Sequence, residues 1–195
     1  MRVLLASVAA ALLASVVGSA AVGSAGLARA EASGSLDRLV GLVADRLDTA
    51  DSVAAAKWAS AGADAAVDDP AREAQVYAAM TRLGAASDLP ENWVGQVFFG
   101  QIEASKTVQR GLLLRWRFDP ARAPAAPPDL SAVRPRIDGL NAEIVAELAA
   151  HRAELAAPDC AQRLARSVFE AFASRPGDAL HRVALVRATV VLCAG

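Results

Sequence analysis

Residues 36–58, LDRLVGLVADRLDTADSVAAAKW, limit what this chain can become more than any other stretch. Leu36, Leu39, Val40, Val43, Leu47, Ala50, Val53 and Ala54 recur at intervals of three and four, the spacing of one helix face turned toward a core. Arg46 and Lys57 fall on that same face. They are 11 residues apart, and at about 3.6 residues per turn this brings the two cations nearly into register. A charge aimed into a core is costly unless it is paired, so the spacing predicts an anionic partner, either protein or ligand.

The chain ahead of this helix reads differently. Residues 1–30 carry Arg2, an apolar run of alanine, leucine and valine, and a small-residue ending Ala28-Arg29-Ala30, the pattern of a cleaved secretory leader. A membrane anchor is the competing reading, but Gly18, Ser19, Gly23, Ser24 and Gly26 interrupt the run. We therefore expect export, secreted or periplasmic, with a mature chain of residues 31–195 and no membrane association after cleavage. That length suits one domain with a good core. The leader holds two of the 20 basic residues and none of the 21 acidic ones, so the mature chain is slightly acidic. Nothing here suggests a nucleic-acid binder, which would be distinctly basic.

Cys160 and Cys193 are the only cysteines, and an even pair in an exported chain is most simply a disulfide. A metal or redox site is disfavoured: there is no CxxC, and His151 and His181 stand at no ligand spacing from the cysteines.

Proline and aspartate divide the remainder into helices. The first runs from about Ser35 to Ser60 and stops at Gly62. Asp69 and Pro70 then start a second, about 70–86, with Val76, Met80 and Leu83 inward. Asp88 and Glu91 have the spacing of a capping box for a third, about 90–118, whose inner row is Val94, Val97, Phe98, Ile102, Val108, Leu112 and Trp116. Residues 119–131, with four prolines, cannot continue it. Ser131 caps a fourth helix to about Ala156, Pro158 opens a fifth to about Ser174, and Pro176 and Asp178 introduce a sixth ending near Cys193. That last helix keeps helical spacing if Val183, Val186, Val190 and Cys193 face inward. The fold expected is an all-α, single-domain bundle of about six helices. Residues 31–134 would bear the site and residues 135–195 form C-terminal helices, the last two stapled by the disulfide.

Polar residues stand on faces that should be apolar: Arg46 and Lys57 on the first helix, Arg72 and Glu73 on the second, Ser105 and Gln109 on the third, Arg134 on the fourth. Gln101 shares the polar side of the third helix. If these faces converge, the core holds a cavity with four cations, one carboxylate and two neutral hydrogen-bonding groups, suited to a compact dianion. Two arginines fit bidentate capture of carboxylates, while a lysine is a point charge. No nucleophile stands with a base.

These residues resemble the all-helical chorismate mutases, in particular their secreted branch. The resemblance spans the mature chain and rests on VAAAKW around Lys57, DDPAREAQ around Arg72, the series Gln101, Ile102, Ser105 and Gln109, PPDLSAVRPRIDGLN around Arg134, and the two cysteines. It implies the Claisen rearrangement of chorismate to prephenate without metal or cofactor. By analogy, Arg46, Arg72 and Arg134 serve the substrate carboxylates, and Lys57 and Gln109 bond the ether oxygen. Glu73 receives the hydroxyl, Ser105 assists at a carboxylate, Gln101 lies among the substrate-binding residues, and Asp69 orders the cap beside Arg72. Relatives also imply a homodimer. The secreted relatives tend to carry threonine and glutamate where this chain has Ser105 and Gln109, the pair used by intracellular ones.

Two other classes compete. One is an exported helical protein that binds a small dicarboxylate without converting it. The other is a structural protein whose inward cations pair with Asp45, Asp48 or Glu73.

Overall fold

The structure, a computed structural model, describes residues 24–193, and the chain is all-α. Most of the expected leader lies outside the described residues. Seven α-helices are present among them: α1 (Ser24–Ala61), α2 (Pro70–Ala85), α3 (Glu91–Phe118), α4 (Leu130–Ala150), α5 (Arg152–Leu155), α6 (Cys160–Ser174) and α7 (Ala179–Thr189). No helix among them is long and apolar enough to cross a membrane.

α1 is the axis of the bundle. It packs on α3 and α4 along one side and on α6 and α7 along the other. The expected stripe is therefore only part of what it buries. Leu36, Leu39, Val40, Val43, Leu47, Ala50 and Ala54 are fully inside as the spacing predicts, and Leu42, Ala44 and Ala55 on the other side are inside too. Asp45 and Asp48 do not meet Arg46. They face Arg175 at 2.7 and 3.5 Å, and Asp51 faces His181 at 2.9 Å, so α6, α7 and their connection dock on α1 through charge as well as apolar contact. α1 stops at Gly62, whose φ of 60° is open to glycine at little cost.

α2 and α3 form a hairpin. Val76 and Met80 are inward as expected, but Leu83 is 36 % exposed and Gly84 takes its place against α3. A Cβ on Gly84 would lie 2.7 Å from Val94 Cγ2, so only glycine lets the two helices approach this closely. The capping box expected at Asp88 and Glu91 does not form. Asp88 turns the chain at φ 57°, and Pro90 occupies the cap of α3 with no side-chain hydrogen bond. The inner row of α3 is buried throughout.

The C-terminal half departs in four places. Asp129, not Ser131, caps α4: its carboxylate accepts from the Ser131 amide at 3.0 Å and the Ser131 hydroxyl at 2.6 Å. The helix expected to reach Ala156 breaks at His151, and α5 is a separate short turn. α7 ends at Thr189 rather than Cys193. Its inward residues are Ala184, Leu185, Ala188 and Thr189, while Val183, Val186 and Val190 point out. Valine was the wrong guide there because α7 lies so close to α3 that small side chains fill the contact. Cys160 and Cys193 are bonded, joining the start of α6 to the segment after α7.

Candidate active site

Four elements deliver the expected polar residues to one region between α1, α2, α3 and α4. A cavity of about 110 Å³ is lined by Arg46 of α1, Asp69 and Val67 of the connection before α2, Arg72 and Glu73 of α2, Ser105 and Lys106 of α3, and Ile137 of α4. Five of the nine expected site residues thus line one space.

Arg46 is 5 % exposed. Its Nε donates to Asn141 Oδ1 at 2.6 Å and its Nη1 to the Gln101 carbonyl at 3.2 Å. Burial pulls the guanidinium down to about 10, opposed by the nearby Asp138 carboxylate. Arg72 Nη2 meets Asp138 Oδ1 at 2.6 Å. Asp138 therefore fixes one arginine directly and bears on the other, and neither guanidinium has more than part of its five N–H donors engaged in these contacts.

Lys57 is half-buried, which lowers its affinity for a proton despite nearby Asp69 and Asp68. Its Nζ donates to the carbonyl of Val67, a lining residue, at 2.5 Å, while Lys57 itself is outside the lining. Gln109 is buried, donates from Nε2 to Ser105 Oγ at 3.1 Å, and leaves Oε1 buried without a partner. The amide can be turned half round with little change in shape, so one of its two polar atoms is left for something the protein does not supply.

The start of α2 is built as the sequence suggests. Asp69 accepts from the Arg72 amide at 3.1 Å, and Glu73 reaches back to the Asp69 amide at 3.4 Å. Arg72 and Glu73 thereby leave the first turn toward the cavity.

Of the four expected residues outside the lining, Lys57 and Gln109 bond to lining residues, and the other two stand elsewhere. Gln101 is 1 % exposed, but its Nε2 donates to the Ala188 carbonyl at 3.0 Å, tying α3 to α7 rather than entering the cavity. Arg134 is exposed on α4, one turn before Asp138 and outside the lining. Three residues escaped the reading: Lys106, Asp138 and Asn141. The signal for the first was present, since Ile102, Ser105, Lys106 and Gln109 follow one helix face. Asp138 and Asn141 likewise flank Leu140 on the side of α4 that holds Ile137 and Ile144.

The sequence pattern of the family described as chorismate mutase type II matches residues 35–110, from α1 to just past Gln109. Two proteins named secreted chorismate mutase are similar over most of the chain. That of Mycolicibacterium smegmatis is 41 % identical over 155 residues, covering 80 % of this chain and 84 % of its own. That of Mycobacterium tuberculosis is 36 % identical over 167 residues, covering 86 % and 82 %. Among solved structures, the chorismate mutase of Burkholderia phymatum matches with a TM-score of 0.77 at 35 % identity, covering 84 % of this chain and 99 % of its own. That of Burkholderia thailandensis matches with a TM-score of 0.75 at 32 % identity, covering 82 % and 99 %.

Proposed function

We propose, since the chain belongs to the chorismate mutase type II family, that its α1–α4 cavity holds chorismate and that residues lining it, with Lys57, Gln109 and Arg134 beside it, carry the reaction in defined roles. The protein is an isomerase that rearranges chorismate to prephenate. One bond between carbon and the ether oxygen breaks while a carbon–carbon bond forms, in a single step that moves no proton.

A unimolecular rearrangement asks two things of a protein. It must hold the two ends of the substrate in the reactive conformer, and it must meet the charge that separates as the C–O bond lengthens. Arg46 and Arg72 take the carboxylates, each with donors to spare beyond its protein partner. Arg134, on the exposed start of α4, closes on a carboxylate from the rim. Glu73 accepts the substrate hydroxyl, and Ser105 adds a hydrogen bond at a carboxylate.

Negative charge grows on the ether oxygen, and Lys57 and Gln109 meet it. An ammonium has three donors, so Lys57 keeps its bond to Val67 and offers another. Gln109 offers its amide N–H and, unlike a carboxyl group, needs no protonation to do so.

The observation that carries these roles is the grouping of two buried or half-buried guanidiniums with a carboxylate and a hydroxyl on one cavity, beside a buried glutamine amide with one unpaired atom. The protein is secreted, as the two mycobacterial relatives are named, with residues 1–30 as its leader. We take it to be a homodimer with a complete site in each chain. The outward Phe169, Val183 and Val190 supply apolar surface for such a contact.

The test is a continuous assay of chorismate loss by ultraviolet absorbance, using the oxidised protein beside Lys57→Ala. Rapid loss with wild type and slow loss with the variant is the expected result. Chorismate that decays only at its spontaneous rate with folded wild type would leave a binding protein in place of the enzyme.

A further inference from the structure

Lys106 is a charged group on the cavity to which the roles above give no work. It follows Ser105 and precedes Gln109 by three residues, so the α3 face that presents those two presents its ammonium as well. Its side chain is 12 % exposed. Nζ lies 2.8 Å from Asp68 Oδ1 in the connection, 3.2 and 3.3 Å from the two oxygens of Glu73 on α2, and 2.7 Å from Glu103 Oε1 on α3 itself. These bonds, that to Asp68 foremost, hold its proton more tightly than an ordinary lysine's. Two neighbours steady the arrangement: Arg110 bonds both oxygens of Asp68 at 2.9 and 3.1 Å, and Arg187 of α7 meets Glu103 at 3.3 Å. Among the described residues no other cation forms an ion pair with Glu73, though its charge also reaches Lys57.

We propose that Lys106 is a positioning residue for the rearrangement: it fixes the Glu73 carboxylate toward the substrate hydroxyl and ties Asp68, with the adjoining Val67 and Asp69, down onto α3 above the cavity. The inference rests on the mutase reading, because only there does Glu73 have a hydroxyl to receive. An ammonium has three N–H donors, and here the carboxylates of three different elements take them. Removing it frees Glu73 to swing away and leaves three carboxylates facing one another beside a site for a dianion. Both effects weaken binding of substrate and transition state alike, so the loss falls on KM rather than kcat.

The experiment is a kinetic cycle on the oxidised full chain: wild type, Lys106→Met, Glu73→Gln and the double variant, each with KM and kcat for chorismate. Lys106→Met raises KM by about tenfold or more, the scale for losing a hydrogen bond between charged groups, while kcat changes by less than about threefold. In the Glu73→Gln background the same substitution raises KM by less than about threefold, because the group it positioned is no longer a carboxylate. Lys106→Gln gives the same pattern should Lys106→Met not fold. An equal rise in both backgrounds means that Lys106 supports the fold or the general field, and overturns the inference. So does a variant with the wild-type KM. A wild-type protein that leaves chorismate at its spontaneous decay overturns the mutase reading itself, a result distinct from an active enzyme indifferent to Lys106.

Discussion

Arg46 and Asn141 stand 95 residues apart in the chain and meet in the core, Nε to Oδ1, at 2.6 Å. Asn141 is 1 % exposed and its Nδ2 has no partner, so its buried use is to accept from the guanidinium. Asn141→Leu removes that acceptor while the charge stays buried. We expect a loss of about 2 to 3 kcal/mol in chemical denaturation, the range for stranding a buried charged donor. Asn141→Asp keeps the acceptor and adds a negative charge near the carboxylate site. It should fold with stability near that of wild type and bind chorismate more weakly, read as a raised KM.

In the proposed mechanism, Lys57→Ala takes a donor from the ether oxygen, where charge exists only in the transition state. The expected fall in kcat is roughly 10²- to 10³-fold, with helicity by circular dichroism unchanged. Arg134→Ala removes the exposed guanidinium that we propose closes on a carboxylate from the rim, and should cut turnover at low substrate by at least about tenfold. Near-normal turnover in either variant contradicts its assigned role.

The pH profile follows from which groups titrate. Gln109 donates at any pH, so activity should be nearly flat between about pH 5 and 8, without a steep acid-favoured limb. On the alkaline side the sign is set by burial. Half-burial makes Lys57 bind its proton less tightly than the usual 10.5, so its cation is lost as pH rises toward that value and turnover falls. The check is kcat/KM across pH 5 to 10.

Stability has a separate alkaline dependence away from the site. His181 sits between Asp51 at 2.9 Å and Asp178 at 2.8 Å, and the Asp51 bond chiefly raises it from the usual 6.5 to about 9. The folded state holds that proton more tightly than the unfolded one. Its contribution is therefore full below pH 6.5 and lost as pH rises through about 9. Thermal unfolding measured from pH 6 to 9.5 should show Tm declining over that window, with a shallower decline in His181→Gln. The exposure of Asp51 keeps the effect small.

Reduction of Cys160–Cys193 tests how separate the last helices are from the site. The pair is 33 residues apart, and opening a loop of that length relieves about 3 to 4 kcal/mol of constraint on the unfolded chain in the entropic account. We expect a clear drop in Tm for Cys160→Ser/Cys193→Ser, with KM for chorismate little changed below the transition.

Much of the fold and half of the site could be read from local pattern. The inner rows of α1 and α3 are as their spacing predicts, because an interior position on a long helix depends on period alone. The start of α2 carries its own instructions in Asp69, Pro70, Arg72 and Glu73, all within one turn. Residues that fail the reading have roles set by distant partners. Gln101 looked like a cavity residue because it is polar and inward, yet the direction it faces is toward Ala188 of α7. Val183, Val186 and Val190 looked like a core row because they are apolar, but the tight contact of α7 with α3 admits Ala184 and Ala188 instead.

What the sequence by itself determined is therefore the all-α class, the first three helices, the disulfide and the polar residues that face inward, since periodicity and inward charge are local properties. Tertiary structure decided which charges meet. Arg72 with Asp138, Arg46 with Asn141, and Lys106 among Asp68, Glu73 and Glu103 are contacts between helices whose relative rotation comes from packing the whole bundle around α1. A pairing energy falls off within a few ångströms, so no spacing along one helix can say which partner on another will be close enough.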